Sequence, residues 1–314
     1  MKKNKFALVQ ESLPVSTQWT VDAVNEVGRA TIPNVFKICT LTGSKGSGFL
    51  LINGYIITNR HVVENARSDQ IFAYSSSGQE ISFSYYYDDN RRNLDLVLLK
   101  PSSDLEGGLN LDLNCNIKIG ESVHTWGYLL AHHGPAPLLS VGYLAGFNES
   151  KYNGQTFKHL VVNGAFNNGN SGGALFKHDN DKVIGIVVSK RLPVLSPYTR
   201  QAIQILAGNQ CGGGFSMEDN QGNKKLVFES QIVVDILSEY RSLAQVMIGE
   251  AISASELVKL IQDVAERLYQ EAIKNKKLTD QNPLSLFQEA KKLIEKVIPI
   301  NDLHKKIDRE ISLL

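Results

Sequence analysis

The chain has 314 residues, 42% of them hydrophobic and 21% charged, which is too apolar for a disordered chain and enough to bury a large core. Its length exceeds that of a usual single domain, so one large domain with an appendage is expected. With 33 basic and 32 acidic residues the formal net charge is +1, which gives no electrostatic reason to expect nucleic acid as a partner, and no stretch approaches the roughly 18 apolar residues of a membrane span.

In chain order, the first residues Met1-Lys2-Lys3-Asn4-Lys5 are basic, but the apolar run Phe6-Ala7-Leu8-Val9 stops at Gln10-Glu11. That is short of the roughly 7–15 residues of a secretory leader's apolar part. Cys39, Cys115 and Cys211 are odd in number, widely separated and without metal-type spacing. Together these features predict a cytoplasmic protein with reduced cysteines and no metal or other cofactor. Residues 1–30 form an N-terminal segment, with Trp19, Val21, Val24 and Val27 predicting a short helix over 16–29 before Pro33.

Strand patterns then dominate. Residues 35–40, 48–52, 55–58, 71–74, 81–87 and 94–99 are short, rich in β-branched or aromatic residues, and separated by Gly, Ser, Asn and Asp. A second set covers 122–126, 138–147, 156–163, 174–176, 183–188 and 225–229. Many short strands with turn punctuation predict a mainly β protein of barrels or a sandwich. Residues 191–224 read as a long loop, with Cys211-Gly212-Gly213-Gly214 at a flexible centre.

From Ser230 the period becomes helical. Ile232, Val233, Ile236 and Leu237 predict a face that closes the β domain, so its boundary is placed at 31–245. Residues 246–314 are assigned to a helical C-terminal extension. Ser253-Ala254-Ser255-Glu256 reads as a capping box ahead of Leu257, Leu260, Ile261, Val264 and Leu268. Asn282-Pro283 starts a second helix with Leu284, Phe287, Leu293, Ile294 and Val297, and a last one runs from Asn301 through Ile311. Their apolar faces need a partner: the β domain, a second copy, or another protein.

Three motifs carry chemistry. Asn168-Gly169-Asn170-Ser171-Gly172-Gly173 is a glycine-flanked serine, in which missing side chains let backbone N–H groups approach a developing oxyanion. Upstream stand Thr58-Asn59-Arg60-His61-Val62-Val63 and Leu94-Asp95-Leu96-Val97-Leu98-Leu99. A serine nucleophile needs a base, and a base needs an orienting carboxylate. The histidine pair His132-His133 lacks a matching carboxylate or cysteine pair for a metal site.

The chain order His61, Asp95, Ser171 is that of chymotrypsin-like peptidases. Over roughly residues 30–245 the chain resembles bacterial trypsin-like serine peptidases, above all the HtrA type, in which Gly-Asn also precedes the serine. Gly46-Ser47-Gly48-Phe49-Leu50 and Val183-Ile184-Gly185-Ile186-Val187 extend the match. The resemblance implies two chymotrypsin-like antiparallel β-barrels with the active site between them, followed here by the helical extension. Residues 246–314 lack the pattern of a PDZ domain, which HtrA-type proteins often carry there.

It further implies a serine endopeptidase acting on protein or peptide substrates, with Ser171 as nucleophile, His61 as base and Asp95 as its orienter. The backbone N–H groups of Gly169 and Ser171 would form the oxyanion hole. Ala165, Phe166, Asn167, Asn168, Val188 and Ser189 would wall the specificity pocket. No acid is among them, so cleavage after small or medium apolar side chains is expected rather than after Arg or Lys. Asn170 cannot form the ion pair by which digestive trypsins are activated, so activity is expected to depend on loop ordering by a partner, self-association or peptide. The alternative is a protease-fold scaffold that binds proteins, with a dispensable triad.

Overall fold

The computed structural model describes residues 22–88, 94–114, 116–130, 132, 136–152, 154–190, 196–218, 224–243, 247–276 and 283–314. The helix expected over 16–29 lies partly outside them, with Trp19 and Val21. Within them, Glu26–Thr31 is helical, capped by the Asn25 side chain, which accepts from the Gly28 N–H at 2.9 Å.

Six strands, β1 (Val35–Thr40), β2 (Lys45–Leu50), β3 (Ile56–Thr58), β4 (Ile71–Tyr74), β5 (Glu80–Asp88) and β6 (Val97–Pro101), close into a first antiparallel barrel. The chain continues through β7 (Ser122–Gly127), β8 (Leu138–Tyr152), β9 (Gln155–Gly164), β10 (Ala174–Lys177) and β11 (Val183–Lys190). After β12 (Gly214–Glu218) and β13 (Lys224–Phe228) comes β14 (Gly249–Ser253). The second barrel has the order β10-β11-β14-β9-β8-β7. Two closed six-stranded barrels, the chymotrypsin-like architecture, are what the resemblance implies, and of the barrels or sandwich that the strand patterns left open they are the barrels.

β1 and β6 bury side chains on both faces, which explains why β6 and its approach read as a nearly continuous apolar run. Val97 and Leu99 join Phe36, Ile38, Leu50 and Ile56 in one cluster. Leu94, Leu96 and Leu98 join another that holds Val35, Phe49 and Ile57. That second cluster also takes in Leu257, Leu260, Ile261 and Val264 of the helix Ala254–Lys276, and Phe287, Ala290, Leu293 and Ile294 of the helix Leu284–Ile294. The partner of the C-terminal helices is therefore the barrel wall. Polar groups fix the register of this contact. Glu289 accepts from the Tyr55 hydroxyl, from Lys100 Nζ at 2.5 Å and from Tyr87 Oη at 3.3 Å, and Asn53 Nδ2 donates to the Leu293 carbonyl at 2.8 Å.

The strand that completes the second barrel is β14, which pairs with β9 (Ala251 opposite Leu160), not residues 225–229. Those residues form β13, paired only with β12 in a two-stranded sheet. Lys-Leu-Val-Phe has the stronger β composition, whereas Gly-Glu-Ala-Ile-Ser is a weak strand in isolation and holds its place by burial of Ala251 and Ile252.

Residues 190–247 form a separate compact unit. The stretch expected to be loop contains the helix Pro197–Gly208, capped by Ser196, and β12. In the helix Glu229–Leu243, Val233, Ile236 and Leu237 are exposed. Among the described residues of this unit no hydrophobic side chain is buried.

His124 on β7 is buried and stacks on Phe176, with ring centroids 5.2 Å apart. Burial, helped by the neighbouring His178 and opposed by Asp179, pushes its pKa from 6.5 down to about 4. The unfolded chain therefore binds one more proton than the folded one between those values, and stability falls as pH falls through that window. The cost on reaching the lower end is about 3 kcal/mol. Urea denaturation at pH 7 and pH 4 should show the wild type losing that much more than His124→Phe; equal losses would refute it.

Candidate functional site

Pairing of β3 with β6, Thr58 opposite Val97, brings the residues just after β3 next to those just before β6. Arg60–Val63 is a single helical turn, and it presents His61 to Asp95. Asp95 Oδ2 lies 2.6 Å from His61 Nδ1, and Asp95 Oδ1 accepts from the His61 backbone N–H at 2.9 Å. Asn59 Nδ2 holds the Asp95 carbonyl at 2.8 Å. With a carboxylate against Nδ1, the proton of the neutral ring sits there, which leaves Nε2 as a lone-pair acceptor. The imidazole side chain is 45% exposed and the carboxylate 27%, so the ring is reached from solvent while the pair stays oriented.

Ser171 sits in the turn between β9 and β10. Gly169 and Gly172 both have positive φ, +101° and +86°. A Cβ on Gly169 would stand 2.2 Å from the Tyr128 carbonyl, and one on Gly172 would stand 2.1 Å from that of Ser47. Glycine is required twice over, by conformation and by space. Four consecutive carbonyls of this turn are engaged. That of Asn168 accepts from Leu130 N–H at 2.9 Å, Gly169 from Ser47 Oγ at 2.6 Å, Asn170 from Gly173 N–H at 2.9 Å, and Ser171 from Ser47 N–H at 2.8 Å. The N–H groups of Gly169 and Ser171 donate to nothing among the described residues, which is the arrangement an incoming oxyanion needs.

The Ser171 hydroxyl donates to the Val188 carbonyl at 2.8 Å rather than to His61. Asn170, fully buried, places Nδ2 3.4 Å from Ser140 Oγ.

Of the expected pocket walls, Ala165, Asn167 and Val188 are half-buried and Asn168 is exposed. Phe166 is instead 2% exposed, in the core of the second barrel with Val187 and Ala251, and its ring packs on Gly249. Its apolar character, read as a pocket wall, belongs to the core. Ser189 lies on β11. Motif reading missed the other side of the cleft: a cavity of about 510 Å³ lined by Lys37, Gly43, Ser44, Lys45, His61, Val62, Tyr128, Leu129, Leu130 and His132. Burial holds the Lys37 ammonium below the usual lysine range, against the pull of Cys39 and with the help of Lys45. These residues come from separate segments, so no local pattern marks them. His133 and Cys115 lie outside the described residues, and among the described ones no three His, Cys, Asp or Glu side chains converge as metal ligands.

Two closed barrels with a histidine, an aspartate and a glycine-flanked serine in this order are similar to the trypsin-like class of peptidases. Residues 46–186 match the family model for the trypsin-like peptidase domain. The chain is 29% identical over 208 residues to a probable periplasmic serine endoprotease, DegP-like, of Halomonas elongata, covering 57% of this chain and 42% of that protein. A protein of the same description from Pseudomonas fulva is 33% identical over 144 residues, covering 46% and 28%. The chain thus spans less than half the length of these curated relatives. Among solved structures, an inactive form of the Rv3671c protease of M. tuberculosis aligns with a TM-score of 0.51 at 17% identity, covering 80% of this chain and 98% of that one. That similarity concerns the fold.

The expectation of a cytoplasmic protein does not stand, because these relatives are named periplasmic. Few and scattered cysteines did not argue for the cytoplasm: a chain with a core this size folds without disulfides in an oxidising compartment as well.

Gly172→Ala should destabilise the protein by more than about 1 kcal/mol, since alanine is strained at positive φ and meets backbone. Urea unfolding checks this, and a stability equal to wild type would contradict the packing described.

Proposed function

We propose that the chain is a serine endopeptidase that hydrolyses peptide bonds of protein substrates. The observation that carries this reading is the double hold of Asp95 on His61, ring and backbone at once. It leaves an oriented Nε2 base in the same fold as a serine whose own N–H, like that of Gly169, donates to nothing among the described residues. The named location of the relatives supports action in the periplasm.

In the proposed reaction Ser171 Oγ leaves the Val188 carbonyl and attacks the scissile carbonyl carbon, and its proton passes to His61 Nε2. The oxygen that becomes anionic is received by the Gly169 and Ser171 N–H groups, where one lost donor typically costs about 2.7–4 kcal/mol. Asp95 stabilises the imidazolium, which then protonates the departing amine and leaves an acyl-enzyme. Water attacks this ester, giving its proton to His61 and releasing the acid, and Ser171 regains its proton. Ala165, Asn167, Asn168 and Val188 would hold the residue before the cut. With no acid among them, small or medium apolar side chains are preferred over Arg and Lys.

The bond from Ser171 to Val188 favours one second reading, a protease-fold scaffold whose serine stays disengaged. One hydrogen bond of about 1 kcal/mol is a weak restraint, so the enzyme reading is preferred. Regulation by a partner, peptide or self-association then acts on the remaining alignment of Ser171 with His61.

Fluorophosphonate labelling and hydrolysis of an unstructured protein, with and without candidate partner peptides, decide between the readings. Wild type should label and cleave, and Ser171→Ala should do neither. Absence of labelling under every condition would leave the scaffold.

A further inference from the structure

We infer that Ser47 is a positioning residue for the oxyanion-binding turn, holding it from the opposite barrel; the inference rests on the endopeptidase reading and deepens it. Ser47 lies on β2 in the first barrel and is fully buried. Its hydroxyl makes two bonds: Oγ donates to the Gly169 carbonyl at 2.6 Å and accepts from the Tyr128 N–H at 2.9 Å. Its backbone N–H donates to the Ser171 carbonyl at 2.8 Å, and its carbonyl accepts from Thr58 Oγ1 at 2.8 Å, three residues before His61. Every polar atom of this residue is spent on the serine turn, on the segment beside it, or on the strand that leads to the histidine.

The consequence follows from peptide planarity. Fixing the Gly169 carbonyl fixes the plane that follows Gly169, and fixing the Ser171 carbonyl fixes the plane that follows Ser171. The planes before these two residues carry the N–H groups that receive an oxyanion. They are held by Leu130 and Gly173, so Ser47 supplies alternate anchors of a four-plane stack. Without its hydroxyl, the Gly169 carbonyl loses its only described donor, and rotation of glycine, the least restrained residue, becomes the cheapest way to satisfy it. The Gly169 N–H lies in the preceding plane, which Leu130 alone then holds, so its aim loosens through the shared Gly169 Cα. No part of Ser47 is placed to touch substrate, so its effect is on the aim of the donors.

The test is Ser47→Ala in the full chain, with Ser47→Cys as a near-isosteric variant whose thiol is a weaker donor. For a folded Ser47→Ala, kcat should fall about 10- to 100-fold, less than the 10²–10³ of deleting an oxyanion donor outright. KM should change by less than about threefold, because donors aimed at the transition state leave ground-state binding alone. Ser47→Cys should fall between the two. Amide exchange at Tyr128, slow in wild type, should quicken in Ser47→Ala. An unchanged kcat in a folded variant overturns the assignment, as does a loss confined to KM. If wild type neither labels nor cleaves, the endopeptidase reading fails separately. The anchoring by Ser47 then stands on faster Tyr128 exchange in the variants and falls if exchange is unchanged, and should neither variant fold, rapid Tyr128 exchange in wild type overturns it and slow exchange supports it.

Discussion

The proposed site depends on a backbone turn in which two N–H groups, those of Gly169 and Ser171, donate to nothing among the described residues. Buried amides seek partners, and an unpaired donor costs free energy comparable to a lost hydrogen bond. The turn between β9 and β10 keeps this arrangement because its carbonyls, from Asn168 to Ser171, are all bound on the other side. Two glycines at positive φ let the chain bend sharply enough, and the space where their side chains would be is occupied by the backbone of Tyr128 and Ser47. The loop thus borrows its rigidity from both barrels.

The rest of the architecture serves to bring those anchors to one place. β2 supplies Ser47, the end of β7 and the residues after it supply Tyr128 and Leu130, and the β3–β6 pairing sets His61 against Asp95. The C-terminal helices brace the first barrel from outside through a shared apolar cluster and the Glu289 hydrogen bonds. They are structural walls of the two-barrel fold in this chain, and none of their residues lines the cavity beside His61.

Much of this was legible in the sequence because it is local. Most strands announce themselves by composition, and the three motifs bracket glycines, a histidine and an aspartate in fixed order. What was not legible is long-range. β14 is a weak strand that exists because barrel closure buries Ala251 and Ile252, while the stronger strand pattern at 225–229 was drawn into a hairpin within the unit 190–247. Phe166 has the composition of a pocket wall and the position of a core residue, a distinction made by Gly249, more than 80 residues away. Ser47 looked like part of a matching motif, and its hydroxyl acquires meaning only through Gly169 and Tyr128, on the other barrel.

The central claim is that Ser171, unbound from Val188 and set against His61, is a nucleophile served by the Gly169 and Ser171 amides. A crystal structure of the full chain soaked with a peptidyl boronate tests it most directly. The account predicts boron bonded to Ser171 Oγ and one boronate oxygen within hydrogen-bond distance of both amides, with Asp95 still on His61 Nδ1. An adduct whose oxygens avoid those amides, or no adduct at saturating reagent with Ser171 still on the Val188 carbonyl, would contradict it.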